Sequence, residues 1–366
     1  MTNNYQMSGI ANVHNFNAGP SILPKEVFEE ASEAILNYQD TGLSILEIGH
    51  RTSLFKNIME EARSLVKELM LLDDDHVVLF LHGGASTQFM QVPMNLLDQN
   101  DTAAYSDTGV WATKAIKEAG LFGNAEVVCS SKESNYNMIP KHFSVPANAK
   151  YFHITTNNTI YGTQWQKLPS VDVPLVADMS SDILSRVINF NAFDVIYAGA
   201  QKNIGAAGVN LVVINKKILG KIHRTIPTIM DYRNHIREES MLNTPPVFAV
   251  FVCLLTLRWL KHQGGVVAIE KINQKKSGLL YSELDNNPLF DTTVHKEDRS
   301  KMNVCFAMKE KSLEENFLSF CAEQGIVGIK GHRLAGAFRA SLYNALPFSS
   351  VEFLVEVMQD FTRKHS

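Results

Sequence analysis

The chain has 366 residues, 45% of them apolar, enough to fill two cores rather than one. Lys and Arg total 34 against 38 Asp and Glu; the formal net charge of −4 excludes a broad field for gathering nucleic acid or an anionic membrane, so any anion has to be recognised locally. Four scattered cysteines, Cys129, Cys253, Cys305 and Cys321, contain no CxxC pair and fit reduced thiols of a cytoplasmic protein rather than disulfides or a zinc site.

The opening MTNNYQMSGIANVHNF lacks a basic start followed by an apolar stretch, so no signal peptide is expected. After Pro24, residues Val27, Phe28, Ala31, Ala34, Ile35 and Tyr38 recur at helical spacing and mark one apolar face. From Phe55 the same period runs through Ile58, Met59, Ala62, Leu65, Val66, Leu69 and Met70. Seven short apolar runs follow: VVLFL (77–81), TAAYS (102–106), EVVCS (126–130), YFHIT (151–155), PLVAD (174–178), DVIYAG (194–199) and VNLVVI (209–214). They predict an α/β fold with a mainly parallel seven-stranded sheet, the last two runs lying close enough to pair antiparallel. VFAVFVCLLTLRWL is short for a membrane span and carries Arg258, so it predicts a buried helix, from about Val247 to His262, stopping at Gly264 and Gly265. That junction divides the chain into 1–264, an N-terminal segment with a large domain, and 265–366, a smaller C-terminal α/β domain in which MNVCFAM and AFRASLY read as strands.

Four stretches carry chemistry. In VVLFLHGGASTQFM a buried strand leads to Gly83 and Gly84, then Ala85, Ser86 and Thr87, then a helix. Small residues let backbone N–H groups approach an anion, and a helix N-terminus adds partial positive charge, so the turn can be a phosphate cup as well as a plain connection. It is neither GxxxxGK[ST] nor GxGxxG. Asp178 ends PLVAD, where open α/β sheets place ligand-contacting groups; its carboxylate either holds a cationic ring nitrogen or caps the next helix. Lys202 lies between DVIYAGA and GAAGVNLVVI with little water to retreat to, and burial lowers the pKa of an amine and raises its free fraction. Trp111, in DTGVWATKA, offers either a flat face for stacking or a core side chain. A phosphate cup, a carboxylate for a pyridinium and a reactive lysine are a protein's share of a pyridoxal phosphate site.

With these residues in place the chain resembles the phosphoserine aminotransferases, pyridoxal phosphate enzymes of fold type I. The resemblance spans nearly the whole length: NFNAGPSILP, LEIGHRT, HGGASTQF, TNNTIYGTQW, VADMSSDILSR, YAGAQKNIGAAG, NTPPVFAV and GHRLAGAFRASLYNA, in that order. It implies that Lys202 carries the cofactor covalently, that Asp178 faces its ring nitrogen, that Trp111 stacks on the ring and that Thr159 donates beside it. It places Ala85, Ser86 and Gln201 around the cofactor phosphate, completed by the equivalents of Asn243 and Thr244 from the neighbouring subunit, which implies a homodimer with shared sites. Some relatives carry Arg at the position of Ser86, where it helps hold anionic substrate.

The cations are visible without the resemblance. His50 with Arg51, His332 with Arg333, and Arg339 in a setting of Gly, Ala and Ser suit a substrate bearing a carboxylate and a phosphate. The resemblance assigns Arg339 to the α-carboxylate and both His-Arg pairs to the phosphate or to the γ-carboxylate of glutamate. The expected reaction is a reversible ping-pong transamination in serine biosynthesis, in which glutamate and 3-phosphohydroxypyruvate give 2-oxoglutarate and O-phosphoserine. Use of 4-phosphohydroxythreonine, which would add a role in pyridoxine biosynthesis, stays open. The rivals are another fold-type I reaction, such as alanine:glyoxylate transamination or cysteine desulfuration, and a non-catalytic cofactor-binding module.

Overall fold

A computed structural model describes residues 13–332, 335 and 338–365. A short strand β1 (His14–Asn15) precedes helices α1 (Lys25–Leu36) and α2 (Ser53–Met70). The sheet region alternates β2 (His76–His82), α3 (Ala85–Leu96), β3 (Thr102–Asp107), α4 (Val110–Ala119) and β4 (Asn124–Ser130), then continues through β5 (Phe152–Thr155), β6 (Leu175–Asp178), β7 (Val195–Gly199) and β8 (Val209–Asn215). After α5 (Tyr232–Arg237), α6 (Val247–His262) and α7 (Gly265–Asn286) come β9 (Phe290–Asp291), β10 (Asn303–Met308), α8 (Glu314–Glu323), β11 (Ile326–Val327), β12 (Phe338–Ser341) and α9 (Phe348–His365).

All seven predicted apolar runs are strands of one sheet, in the order β2-β8-β7-β6-β5-β3-β4. Only β8 runs backwards: it pairs antiparallel with β7, as the short connection between them demands, and also with β2, while β3 to β7 pair in parallel. Both faces are covered except at the edge strand β4, so the other strands read as mostly apolar runs rather than alternating ones. Phe80, Ile154, Ala177 and Ile196 point to one face, and Leu79, Tyr105, Val176 and Tyr197 to the other.

Helix α6 has no polar face because it lies between the first of these layers and helices α1 and α2: Val250, Phe251, Cys253, Leu254, Leu255 and Leu257 are all buried. The apolar face expected on α1 is narrower than its sequence suggests. Val27, Ala31 and Ala34 are buried, whereas Phe28 is 56% and Ile35 38% exposed, since each sits a 100° step round the helix from the buried stripe. Tyr38 is buried but lies beyond α1 in a 3-10 turn.

A second core contains Phe290, Val304, Phe306, Phe317, Phe338, Leu354 and Phe361, around the three-stranded sheet β12-β10-β9. Phe16 joins it from the other end of the chain. Helix α7 connects the two cores, with Val266 and Ile269 in the first and Leu280 and Leu284 in the second. No helix among the described residues is long and apolar enough to cross a membrane.

Leu254→Ala should cost about 3 kcal/mol of stability and Phe28→Ala under about 1, read as shifts in a denaturant midpoint at constant slope. Equal losses would contradict the narrow α1 stripe.

Candidate functional site

The parallel strands end side by side, and the loops after their C-terminal ends bring the reactive residues together. Asp178 is the last residue of β6, pairing with Thr155 of β5 and Tyr197 of β7. Lys202 follows the end of β7 by three residues, and Thr159 follows the end of β5 by four. The Lys202 amine donates to Thr159 Oγ1 at 2.8 Å and lies 5.9 Å from the centre of the Trp111 ring, which the first turn of α4 carries. Arg339, on β12, donates from its guanidinium to the Thr159 carbonyl at 3.2 Å.

Burial pushes the Lys202 amine down to about 8; the Asp178 carboxylate pulls it upward and the Arg339 guanidinium lowers it further. Asp178, buried, is itself raised above the usual carboxylate range by desolvation, against which the Ser180 hydrogen bond and the Lys202 charge work. Ser180 N–H donates to Asp178 Oδ1 at 2.9 Å, so the carboxylate caps a turn; residues 179–189 form turns rather than a helix, so the helix cap offered by the sequence is not formed.

The glycine turn takes the form a cup needs. Gly83 has φ +90°, and a Cβ there would collide with the Thr87 hydroxyl. Helix α3 starts at Ala85 with no side chain capping its first turn, which leaves the N–H groups around Ala85 and Ser86 for an anion. Gln201, half-buried, folds its amide back over Gly199. Asn243 and Thr244 stand in this chain against His82, at the end of β2: His82 Nε2 lies 2.6 Å from the Thr244 carbonyl and Asn243 Nδ2 3.3 Å from His82 Nδ1.

The cations fall into two groups. Arg339 is within the Lys202 cluster, and His332 is half-buried shortly before β12, while Arg333 lies outside the described residues. Arg51 is exposed and lines a different groove of about 370 Å³ with Lys56, Arg63 and Arg237, next to half-buried His50. That groove shares no lining residue with the Lys202 cluster.

Several contributors had not been singled out in the sequence. Gly19 lies against Lys202, where a Cβ would sit 3.6 Å from its Cγ. Ser21 N–H donates to the Gln201 carbonyl at 2.9 Å and its hydroxyl to the Lys202 carbonyl. Asp182 is buried and accepts from Thr156 Oγ1 (2.5 Å), Gln164 (3.1 Å) and Arg186 (3.2 Å), and the Thr156 N–H donates to the Asp178 carbonyl at 3.0 Å. The motifs NFNAGPSILP and VADMSSDILSR contained these residues, but their partners are distant in sequence.

The donor set fits pyridoxal phosphate. Trp111 Nε1 and Arg339 Nε are buried and bonded to nothing among the described residues, beside an amine of lowered pKa, a buried carboxylate and an uncapped helix start. The thiols do not compete as nucleophiles: Cys129, Cys253, Cys305 and Cys321 are buried, and burial pushes each up to about 12.

Residues 13–354 match the aminotransferase class-V family. The chain is 56% identical to a phosphoserine aminotransferase of Flavobacterium johnsoniae over 96% of its own length and 99% of that relative. Among solved structures, it superposes with a TM-score of 0.94 on a phosphoserine aminotransferase from Bacillus circulans subsp. alkalophilus, at 41% identity, covering 97% of this chain and 99% of the other. A pyridoxal phosphate-bound phosphoserine aminotransferase from Trichomonas vaginalis gives 0.90 at 33% identity, covering 95% and 100%.

In cofactor-free protein, a 13C-dimethyl label on Lys202 should titrate by NMR near pH 8. Asp178→Asn removes the charge that pulls this pKa upward, so the midpoint should move lower still. A midpoint near 10 would mean a solvated amine.

Proposed function

The chain belongs to the class-V aminotransferase family, and from that premise we propose that it is a phosphoserine aminotransferase moving an amino group reversibly between glutamate and 3-phosphohydroxypyruvate. The observation that carries the reading is one residue, Thr159, binding both the Lys202 amine and the Arg339 guanidinium beside buried Asp178.

Pyridoxal phosphate supplies an aldehyde that captures the amino group and a pyridinium that accepts the electrons released when the α-carbon loses its proton. The residues placed to hold it are Lys202, Asp178, Trp111, Thr159, Ala85, Ser86 and Gln201. Asp178 would face the ring nitrogen and favour its protonated form, and its burial strengthens that effect, because the field of a carboxylate is weakly screened there. Arg339 holds the substrate α-carboxylate and thereby orients the α-carbon. Lys202, with a pKa of about 8, has a substantial free-amine fraction near neutral pH. Its amine takes the α-proton of glutamate and, in the return half, delivers a proton to the α-carbon of the oxo acid. A side-chain phosphate and the γ-carboxylate of glutamate use the same cationic subsite in turn.

That subsite is completed in a homodimer. Arg51, next to His50, lines a groove apart from Lys202, and Asn243 and Thr244 stand at the end of β2, so both sets would serve the partner's site across a two-fold axis. Segment 1–264 acts as the cofactor-binding domain and 265–366 as the smaller one, joined along α7. Arg333 adds to the phosphate subsite with His332. Buried free thiols suit a cytoplasmic enzyme of serine biosynthesis. Amination of the longer 4-phosphohydroxythreonine skeleton, in pyridoxine biosynthesis, is a further use of the same subsite.

Lys202→Ala should abolish the visible absorbance that depends on the covalent lysine link and lower turnover by at least about 1000-fold. With the amine-loaded wild-type enzyme, 3-phosphohydroxypyruvate should react faster than unphosphorylated hydroxypyruvate; the reverse preference would overturn the substrate assignment. Light scattering should give twice 40.9 kDa.

A further inference from the structure

Lys276, on α7, is fully buried, and its ammonium donates to three backbone carbonyls: Leu342 at 2.9 Å, Tyr343 at 2.7 Å and Leu346 at 3.2 Å. No carboxylate is bonded to it among the described residues. A buried cation without a counter-ion is costly, and burial lowers this one to about 7, so its three hydrogen bonds must carry a structural return.

What they hold is the turn between β12 and α9. Two of its residues reach either flank of Lys202, Tyr343 through its side chain and Asn344 through its backbone. Tyr343 donates its hydroxyl to the Ala18 carbonyl at 2.8 Å, next to Gly19, which packs on the Lys202 side chain. Asn344 N–H donates to Asn203 Oδ1 at 3.0 Å, and Asn203 follows Lys202 in the chain. Asn344 Nδ2 also donates to the Leu184 carbonyl at 3.0 Å, and Asn273, one turn before Lys276 on α7, donates to Asn344 Oδ1 at 2.9 Å. The Tyr343 hydroxyl further accepts from Asn303, which in turn accepts from Asn157 at 2.8 Å, two residues before Thr159. One buried ammonium therefore clamps a turn that contacts the chain before, beside and opposite the reactive amine.

We propose that Lys276 is a positioning residue, whose ammonium fixes the Leu342–Leu346 turn and, through Tyr343 and Asn344, sets the place of the Lys202 amine. The proposal rests on the reading of Lys202 as the cofactor-bearing lysine. Removing the ammonium takes a donor from three carbonyls, of which Tyr343 keeps the Leu346 N–H at 2.9 Å, and the turn relaxes toward water, loosening both flanks of Lys202. A displacement of about 1 Å at a reacting group is enough to cost about 100-fold in rate.

The test compares wild type, Lys276→Met, Tyr343→Phe and Lys202→Ala as holoenzymes, with far-UV circular dichroism to establish folding. In Lys276→Met we expect kcat to fall between about tenfold and about 100-fold while KM for glutamate changes less than about threefold. The pH midpoint of the lysine-dependent visible band should move by about half a pH unit or more. Tyr343→Phe, which leaves the buried ammonium in place but removes the hydroxyl bonded to the Ala18 carbonyl, should move that midpoint in the same direction, and it decides the matter should Lys276→Met fail to fold. A folded Lys276→Met with kcat within about twofold of wild type and an unmoved midpoint overturns the proposal, as does an unmoved midpoint in Tyr343→Phe when that is the only folded variant. Loss of the band in Lys202→Ala establishes the functional reading separately, whatever Lys276→Met does.

Discussion

The constraint on which the rest of the molecule depends is an amine held out of water at the ends of a parallel sheet. An exposed lysine is protonated at neutral pH and is a poor nucleophile; Lys202 is brought down to about 8 chiefly by burial. Burial alone would go further, and Asp178 opposes it. Asp178 cannot be close enough to form a tight ion pair, however, because a paired ammonium would be locked in its charged form. The amine instead donates to a neutral hydroxyl, that of Thr159. The site is balanced between a charge that is too costly and one that is too well satisfied.

Such a balance tolerates little movement, and the surrounding polar network is built accordingly. Thr156 donates through its N–H to the Asp178 carbonyl and through its hydroxyl to the Asp182 carboxylate, and Asp182 is fixed in turn by Gln164 and Arg186. Arg186 also donates to the Trp165 carbonyl at 2.7 Å. A buried ion pair of this kind adds little net stability against an apolar replacement, yet leaving either partner alone costs about 3–5 kcal/mol. Its value here is geometric: it defines where β6 ends and therefore where Asp178 stands.

Six of the seven strands were legible because burial on both faces writes each of them as a mostly apolar run, and α6 was legible for the same reason; β4, at the sheet edge, is largely exposed and was marked by Val127, Val128 and Cys129 alone. The α1 face was overdrawn, since periodicity marks which positions can share a stripe but not how wide a stripe the neighbouring helix covers; Phe28 and Ile35 fall just outside it. At the site, Asp178 and Lys202 could be found from the sequence because one ends a strand and the other follows a strand end closely, where topology restricts what a side chain can face. Gly19, Ser21, Tyr343 and Lys276 could not, because their roles arise from contacts with residues far along the chain, such as Tyr343 with Ala18. Local pattern carries no information about such pairs. Arg51 was recognised by type, but its separation from Lys202 is a property of the folded chain.

Thr159 is where recognition and proton transfer are brought into register. Its hydroxyl accepts from the Lys202 amine and its carbonyl from the Arg339 guanidinium, so a few covalent bonds of one residue set the spacing between the two groups. In an α-amino acid, the carboxylate and the acidic proton are substituents of the same carbon. A cation that grips the first and a base that removes the second must therefore keep a separation fixed to within a fraction of an ångström, across two strands, β7 and β12, that belong to different sheets. Two independent supports would add their errors. A shared support makes any drift of the 156–165 loop carry both groups together, so alignment at the α-carbon survives motions that a site assembled from unconnected residues would not.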